Sequence, residues 1–190
     1  MADQPDASAD VTPEQFFNEL LPAGFEEQKK QGNAVPQDFR IQYHLTGDGG
    51  GAWHVTINEG KLEAQAAAGD AHITITISVD DWRDALHSRD GAAPSLILPA
   101  SRPGRPDNSA RVKQVRGTLV QELAREGGEP FRIQLTFNGA DSPKTTLKLK
   151  IADAVALQEG RLNAQEAFMT GRLRVEGDMA FMMQIAAVTG

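Results

Sequence analysis

Residues 160–190 read GRLNAQEAFMTGRLRVEGDMAFMMQIAAVTG. Between Met179 and Val188 the one polar side chain is Gln184. A helix that is apolar almost all round is expected to be covered on every side. At the end of an acidic chain, such a segment either plugs a core or walls a cavity meant for an apolar guest. The residues before it are well punctuated. Asn163 and Glu166 are placed to cap a helix over Ala164–Thr170, which Gly171 ends. Arg172–Glu176 reads as a strand, and Asp178 opens the last helix.

Upstream the hydrophobic period changes twice. Thr12, Pro13 and Gln15 carry the signals of a helix start, with Phe16, Phe17, Leu20 and Leu21 on one apolar face. Pro22 and Gly24 are expected to interrupt that helix, and a second piece to run through Glu26–Lys30. From Phe39 the period becomes two: Phe39, Ile41, Tyr43 and Leu45 alternate with polar neighbours. After the turn GDGGG, Trp53, Val55 and Ile57 do the same, which predicts a hairpin with one buried face. Residues 61–66 predict a short strand and 72–79 a further one. Ser78 then precedes a helix, Asp80–His87, with Trp82 and Leu86 on one face. The stretch 94–111, rich in proline, serine and arginine, reads as a long surface loop. Val115–Leu123, Phe131–Phe137 and Thr145–Ile151 read as strands, and Ala152–Gln158 as a helix. FRIQYHLTG at 39–47 is echoed by FRIQLTFNG at 131–139. The order predicts an α+β fold with a largely antiparallel sheet.

Composition excludes several classes. The 190 residues are 40% hydrophobic and carry a net charge of −7, which suits a globular domain and argues against nucleic acid as a partner. No stretch approaches the roughly 20 apolar residues of a membrane span. The start, MADQPDASAD, lacks a basic and an apolar region, so no signal peptide is expected. Residues 1–11 read as a disordered tail. The chain has no cysteine, which removes disulfides and thiolate chemistry and makes a cytoplasmic location the expectation.

The closing stretch, GRLNAQEAFMTGRLRVEGDMAFMMQI, resembles the end of the sterol carrier protein 2 domain family. There a glycine, a basic residue, Leu-Asn and a Gln precede Ala-Phe-Met-x-Gly-Lys/Arg-Leu and then Gly-Asp/Asn-Met. FRIQYHLTG, WHVTINEGK and AHITITISVDDW resemble that family's first strands and the helix start after them. The resemblance covers about 38–87 and 152–188. The middle, about 88–151, departs from it and reads as an insertion of extra strands within a single domain over 12–190. The resemblance implies a mostly antiparallel sheet of five or more strands, with helices on one face around an apolar tunnel for a lipid, fatty acyl chain or sterol. The C-terminal helix would close that tunnel. On this basis the expected ligand-binding residues are Trp82, Leu86, Phe168, Leu173, Val175, Met179, Met182, Met183 and Ile185. Methionine repacks readily around irregular guests, and four of the five methionines lie at 169–183.

Other candidates for chemistry have simpler explanations. His44 and His54 would face each other in one register of the hairpin, but they alternate with Thr and Gln as a solvated face does, so no metal site is expected. Asp80 and Asp81 follow Ser78 at a helix start, where capping and the helix dipole account for them. GDGGG leads into a strand and lacks the geometry of a phosphate cradle. Nothing assembles a nucleophile, a base and an oxyanion site. The expected function is therefore binding and carriage of a hydrophobic small molecule, without cofactor and without catalysis, with transient membrane contact possible. The alternatives are an accessory unit that offers its C-terminal helix and inserted strands to a protein partner, and a lipid-handling enzyme with an unrecognised acid.

Overall fold

In the computed structural model, which describes residues 11–32, 36, 38–97 and 107–189, the chain opens with a helix where the sequence caps one. The tail read at 1–11 lies outside the described residues apart from Val11, as does the middle of the 94–111 loop, residues 98–106. Thr12 Oγ1 accepts from the Gln15 N–H at 3.2 Å. The break expected at Pro22 and Gly24 does not occur. Helix α1 (Pro13–Gln15) passes through a π-turn (Phe16–Leu20) directly into α2 (Leu21–Lys30). The Leu21 N–H reaches the Phe16 carbonyl, five residues back rather than four. Proline offers no N–H and crowds the carbonyl of the preceding turn. A widened turn just before Pro22 accommodates both defects.

Among the described residues, eight strands form one sheet. They are β1 (Phe39–Thr46), β2 (Gly51–Asn58), β3 (Lys61–Gln65), β4 (Ile73–Ser78), β5 (Gly117–Ala124), β6 (Phe131–Phe137), β7 (Lys144–Lys150) and β8 (Arg174–Gly177). Their order is β3-β2-β1-β4-β6-β5-β7-β8. The pairs β1–β4 and β5–β7 are parallel, and the other neighbours are antiparallel. Helices α3 (Val79–Leu86), α4 (Ser109–Val112), α5 (Ile151–Gln158), α6 (Ala164–Met169) and α7 (Met179–Thr189) complete the chain with a short 3₁₀ turn, Pro94–Leu96. The α+β architecture agrees with the sequence reading.

The topology repeats. β1 and β2 form a hairpin, β4 pairs parallel with β1, and α3 follows β4 without a gap. β5 and β6 form a hairpin, β7 pairs parallel with β5, and α5 follows β7 without a gap. The strands at 117–150 thus sit inside the sheet, joined to the first set through β4 and β6. The echo between 39–47 and 131–139 is out of phase with this repeat. Topology makes β5, not β6, the counterpart of β1.

The hairpin register also differs from the one that would oppose His44 and His54. Gln42 faces His54, and Ala52 faces His44. A two-residue slip leaves every side chain on the same face of the sheet, so alternation alone could not exclude it. His54 and His72 are engaged locally. His54 Nε2 lies 3.0 Å from the Asp70 carbonyl oxygen, and His72 Nδ1 accepts from the Arg40 N–H at 3.0 Å. Burial, reinforced by the cations Arg40 and Lys113, lowers the His72 pKa. The unfolded chain takes up a proton near pH 6.5, and the folded ring does so only at lower pH. The stability that His72 contributes is therefore complete above about pH 6.5 and is lost as pH falls through and below it. Urea unfolding between pH 8 and 5 should show that decline, and His72→Gln should flatten it.

Two apolar clusters lie on the helix-covered face. The larger joins β1, β2 and β4 to Phe16, Phe17, Trp82 and the start of α5. The smaller packs Phe181, Ile185 and Val188 of α7 against Val115, Leu119 and Phe137. Asp178 starts α7 by accepting the Phe181 N–H at 2.7 Å, and it is itself held to β7 by Thr145 Oγ1 at 2.6 Å. Gly117 is required beneath that helix. Its φ is +136°, and a Cβ there would come within 2.7 Å of the Phe181 ring.

Candidate functional site

Side chains two residues apart along a strand point the same way, so strands in register build rows across the sheet. On the covered face, one row links Leu123 of β5 to Leu149 of β7, and both are buried in the larger cluster. A second row links Leu119 to Thr145, also buried, on the side that α7 covers. Between these two rows runs a third, Gln121–Leu147–Val175, across β5, β7 and β8. All three of its residues are half-buried. Leu135 and Ile73 are half-buried as well, and each touches both clusters. Helix α5 rests on β5 and β7, while α7 rests on β7 and β8. The row is thus less covered than the rows on either side of it.

The loop that brings β8 to this row is built from the closing motif. Asn163 Oδ1 caps α6 by accepting from Gln165 and Glu166, at 2.8 and 3.3 Å. Gly171, at φ +72°, turns the chain, and Leu173 N–H bonds the Ala167 carbonyl at 2.9 Å. Arg172 pairs with the buried carboxylate of Asp153 on α5. The motif's basic residue thus ties the connection to the neighbouring helix, and its Ala167 and Leu173 are buried beneath it. Val175 follows on the half-buried row.

The nine residues expected to line a ligand site fall into three groups. Val175 lies on the half-buried row, Met182 packs against the smaller cluster from α7, and Leu173 and Ile185 are buried in the larger and the smaller cluster respectively. Trp82 and Leu86 belong to a different part of the larger cluster, where the Trp82 ring meets Phe16 edge-on at 5.4 Å. Phe168, Met179 and Met183 point to solvent, with Met183 65% exposed. The expected set did not include Gln121, Leu135 or Leu147, which lie on or beside the half-buried row. One signal was present for Gln121: it breaks the apolar alternation Leu119, x, Leu123 in the middle of a strand. Its side chain makes no hydrogen bond among the described residues.

A second concavity, of about 380 Å³, is polar. Ser78, Asp80, Asp81, Asp84 and the turn Glu126–Pro130 surround Arg125 there. Asp81 was expected to serve only the helix start. Ser78 Oγ does the capping, accepting from the Asp81 N–H at 3.0 Å. Asp81 and Asp84 instead grip the Arg125 guanidinium, the latter at 2.6 Å, and Asp81 also accepts from the Arg132 N–H at 3.2 Å. The carboxylates are held as ion-pair partners between α3 and the start of the β5–β6 turn, an arrangement that fixes structure. Among the described residues no group of three or more His, Asp or Glu side chains could hold a metal, and no helix is long and apolar enough to cross a membrane.

The family model described as the SCP-2 sterol transfer family matches residues 17–94 and 100–190. The second segment runs through most of the block that departs from the sequence resemblance. Among solved structures, the chain is similar to the sterol carrier protein domain 2 of Helicoverpa armigera, at 25% identity over 43% of this chain and 72% of that one, with a TM-score of 0.36. It is similar to sterol carrier protein 2 from Yarrowia lipolytica, apo form, at 16% identity over 98% and 99%, with a TM-score of 0.28. A double mutant of the sec-alkyl sulfatase PisA1 is matched at 10% identity over 96% of this chain and 17% of that one, with a TM-score of 0.33. No curated protein matches the sequence.

Proposed function

The chain belongs to the SCP-2 sterol transfer family, and from that premise we propose that it binds and carries a hydrophobic small molecule in the groove between α5 and α7. The observation that carries the reading is the half-buried row Gln121–Leu147–Val175, flanked by fully buried rows on both sides. Apolar side chains left partly wet in the middle of a covered face lose stabilisation that a guest can restore, at about 25 cal/mol per Å² buried. No cofactor enters this reading, and neither does catalysis. The polar concavity that could suggest an enzyme is occupied by its own ion pairs. The binding residues we assign are Leu135, Leu147, Val175 and Met182, with Leu173 and Ile185 beneath them. Trp82 and Leu86 support the fold around α1, and Phe168, Met179 and Met183 are free for transient contact with a membrane during loading.

A second reading has its own observation. Phe168 and Met169, 51% and 77% exposed, suit a protein interface of an accessory unit. One experiment separates the two. Displacement of a fluorescent fatty acid by saturated acids should tighten by up to about tenfold for each two carbons added, since each buried CH₂ contributes about 0.8 kcal/mol. Leu147→Trp should fill the groove, weaken that binding at least tenfold and leave the exposed side chains untouched. A flat response to chain length, or full binding by Leu147→Trp, would remove the groove from consideration and leave the interface.

A further inference from the structure

The two hairpin–strand–helix units can be laid on one another from their strand–helix junctions. Ser78 precedes α3 and Lys150 precedes α5, so Ile77 corresponds to Leu149 and Ile75 to Leu147. Through the parallel pairings, Leu45 then corresponds to Leu123 and Tyr43 to Gln121. The equivalent positions have different fates. Above Tyr43 the N-terminal helix delivers a plug. The Phe17 ring stacks on Trp53 at 5.0 Å, lies 4.9 Å from the Tyr43 ring and is fully buried. The Tyr43 hydroxyl donates to the Ile97 carbonyl at 3.2 Å, so its polar end is satisfied too. Above Gln121 the described residues provide no such plug. Gln121 and its partner Leu147 are half-buried, and the amide has no hydrogen-bond partner among them.

We propose that the guest takes the place in the second unit that Phe17 takes in the first, and that Gln121 anchors it through an oxygen carried inside the hydrocarbon frame. The proposal rests on the carrier reading above and goes beyond it by naming the ligand class. A plain hydrocarbon chain would cover the amide without pairing it, which is unfavourable for any buried polar group. A hydroxyl or ketone pairs it, because a primary amide both donates and accepts. The oxygen must be internal, not terminal. Leu119 and Leu123 flank Gln121 along its strand, and Ile133 and Leu147 flank it across the sheet, all apolar. Guest carbons on either side of the oxygen therefore meet apolar floor. Hydroxy or oxo acyl chains and secondary alcohols have that form.

The test is a competition series on the full chain, with octadecanoate and its 6-, 8-, 10- and 12-hydroxy isomers displacing a fluorescent fatty acid. At least one isomer should bind native protein about three- to tenfold tighter than octadecanoate, the range expected of one hydrogen bond. Gln121→Leu should reverse that order and favour octadecanoate, and its unfolding midpoint without ligand should equal or exceed that of native protein. If native protein prefers octadecanoate to every isomer, or if Gln121→Leu keeps the preference for the same isomer, the anchor is wrong while the carrier reading stands. A lowered midpoint for Gln121→Leu would mark the amide as structural and overturn the proposal. Failure of native protein to bind any of the five acids would overturn the carrier reading and this one with it.

Discussion

Phe181→Ala is expected to lower stability by about 3–5 kcal/mol, in the range of other buried Phe truncations, and to weaken fatty acid binding at least tenfold. The side chain is buried, meets Phe137 edge-on at 6.3 Å and lies directly on the Gly117 backbone. It is the first of three residues, with Ile185 and Val188, that hold α7 to the sheet. Removing it leaves a hole at the point where the helix begins, next to Met182 and the groove. A wall that can tilt away no longer excludes water from the guest, so affinity should fall together with stability. Met183→Ala is the matched control on the same helix. Its side chain is 65% exposed, so the change should stay within about 0.5 kcal/mol and leave affinity unaltered. Urea unfolding and fluorescent fatty acid titration of both variants decide the matter. Equal effects of the two substitutions would mean that α7 does not wall the site.

The difference between these two positions shows where sequence reading stops. The stretch from Met179 to Val188 is apolar on every side, which predicts burial on every side. In the structure only Phe181, Ile185 and Val188 of that stretch are buried, because α7 lies over β7 and β8 at the margin of the sheet, where none of the described residues covers its outer face. Position in a sheet is a property of strand order, and strand order leaves no mark on local alternation. The strands themselves were legible for the opposite reason: Phe39–Leu45, Ile73–Val79 and Phe131–Phe137 each alternate strictly, and alternation is a local signature of one buried face. Trp82 illustrates the same boundary. Its helix and its apolar face could be read from Ser78, Trp82 and Leu86, but the partner that buries it, Phe16, lies 66 residues earlier along the chain. The proposed groove depends most on information absent from the sequence pattern. It rests on the β5–β7 pairing that sets Gln121 beside Leu147, and on helices α5 and α7 packing against β7 from separate segments of the chain.

Arg125→Ala should lower stability by about 3–5 kcal/mol, as expected when one member of a buried ion pair is removed, and leave ligand affinity unchanged. The Arg125 side chain is only 12% exposed, and those of Asp81 and Asp84 are 17% and 21% exposed. Its guanidinium also lies 5.2 Å from the centre of the Phe131 ring, within cation–π range. Taking the arginine away strands two carboxylates beside each other in a place where water solvates them poorly. Most of the loss should come from those stranded charges rather than from the missing attraction. Combining Arg125→Met with Asp81→Asn and Asp84→Asn should therefore recover a good part of the stability lost by Arg125→Ala, although three interactions have been removed instead of one. Urea unfolding measures both. The same variants discriminate between the two concavities, since none of the three residues lies on the Gln121–Leu147–Val175 row. If the triple variant folded with near-native stability and yet bound no fatty acid, the ligand site would lie at the charged concavity, and the groove between α5 and α7 would be a packing defect without a guest.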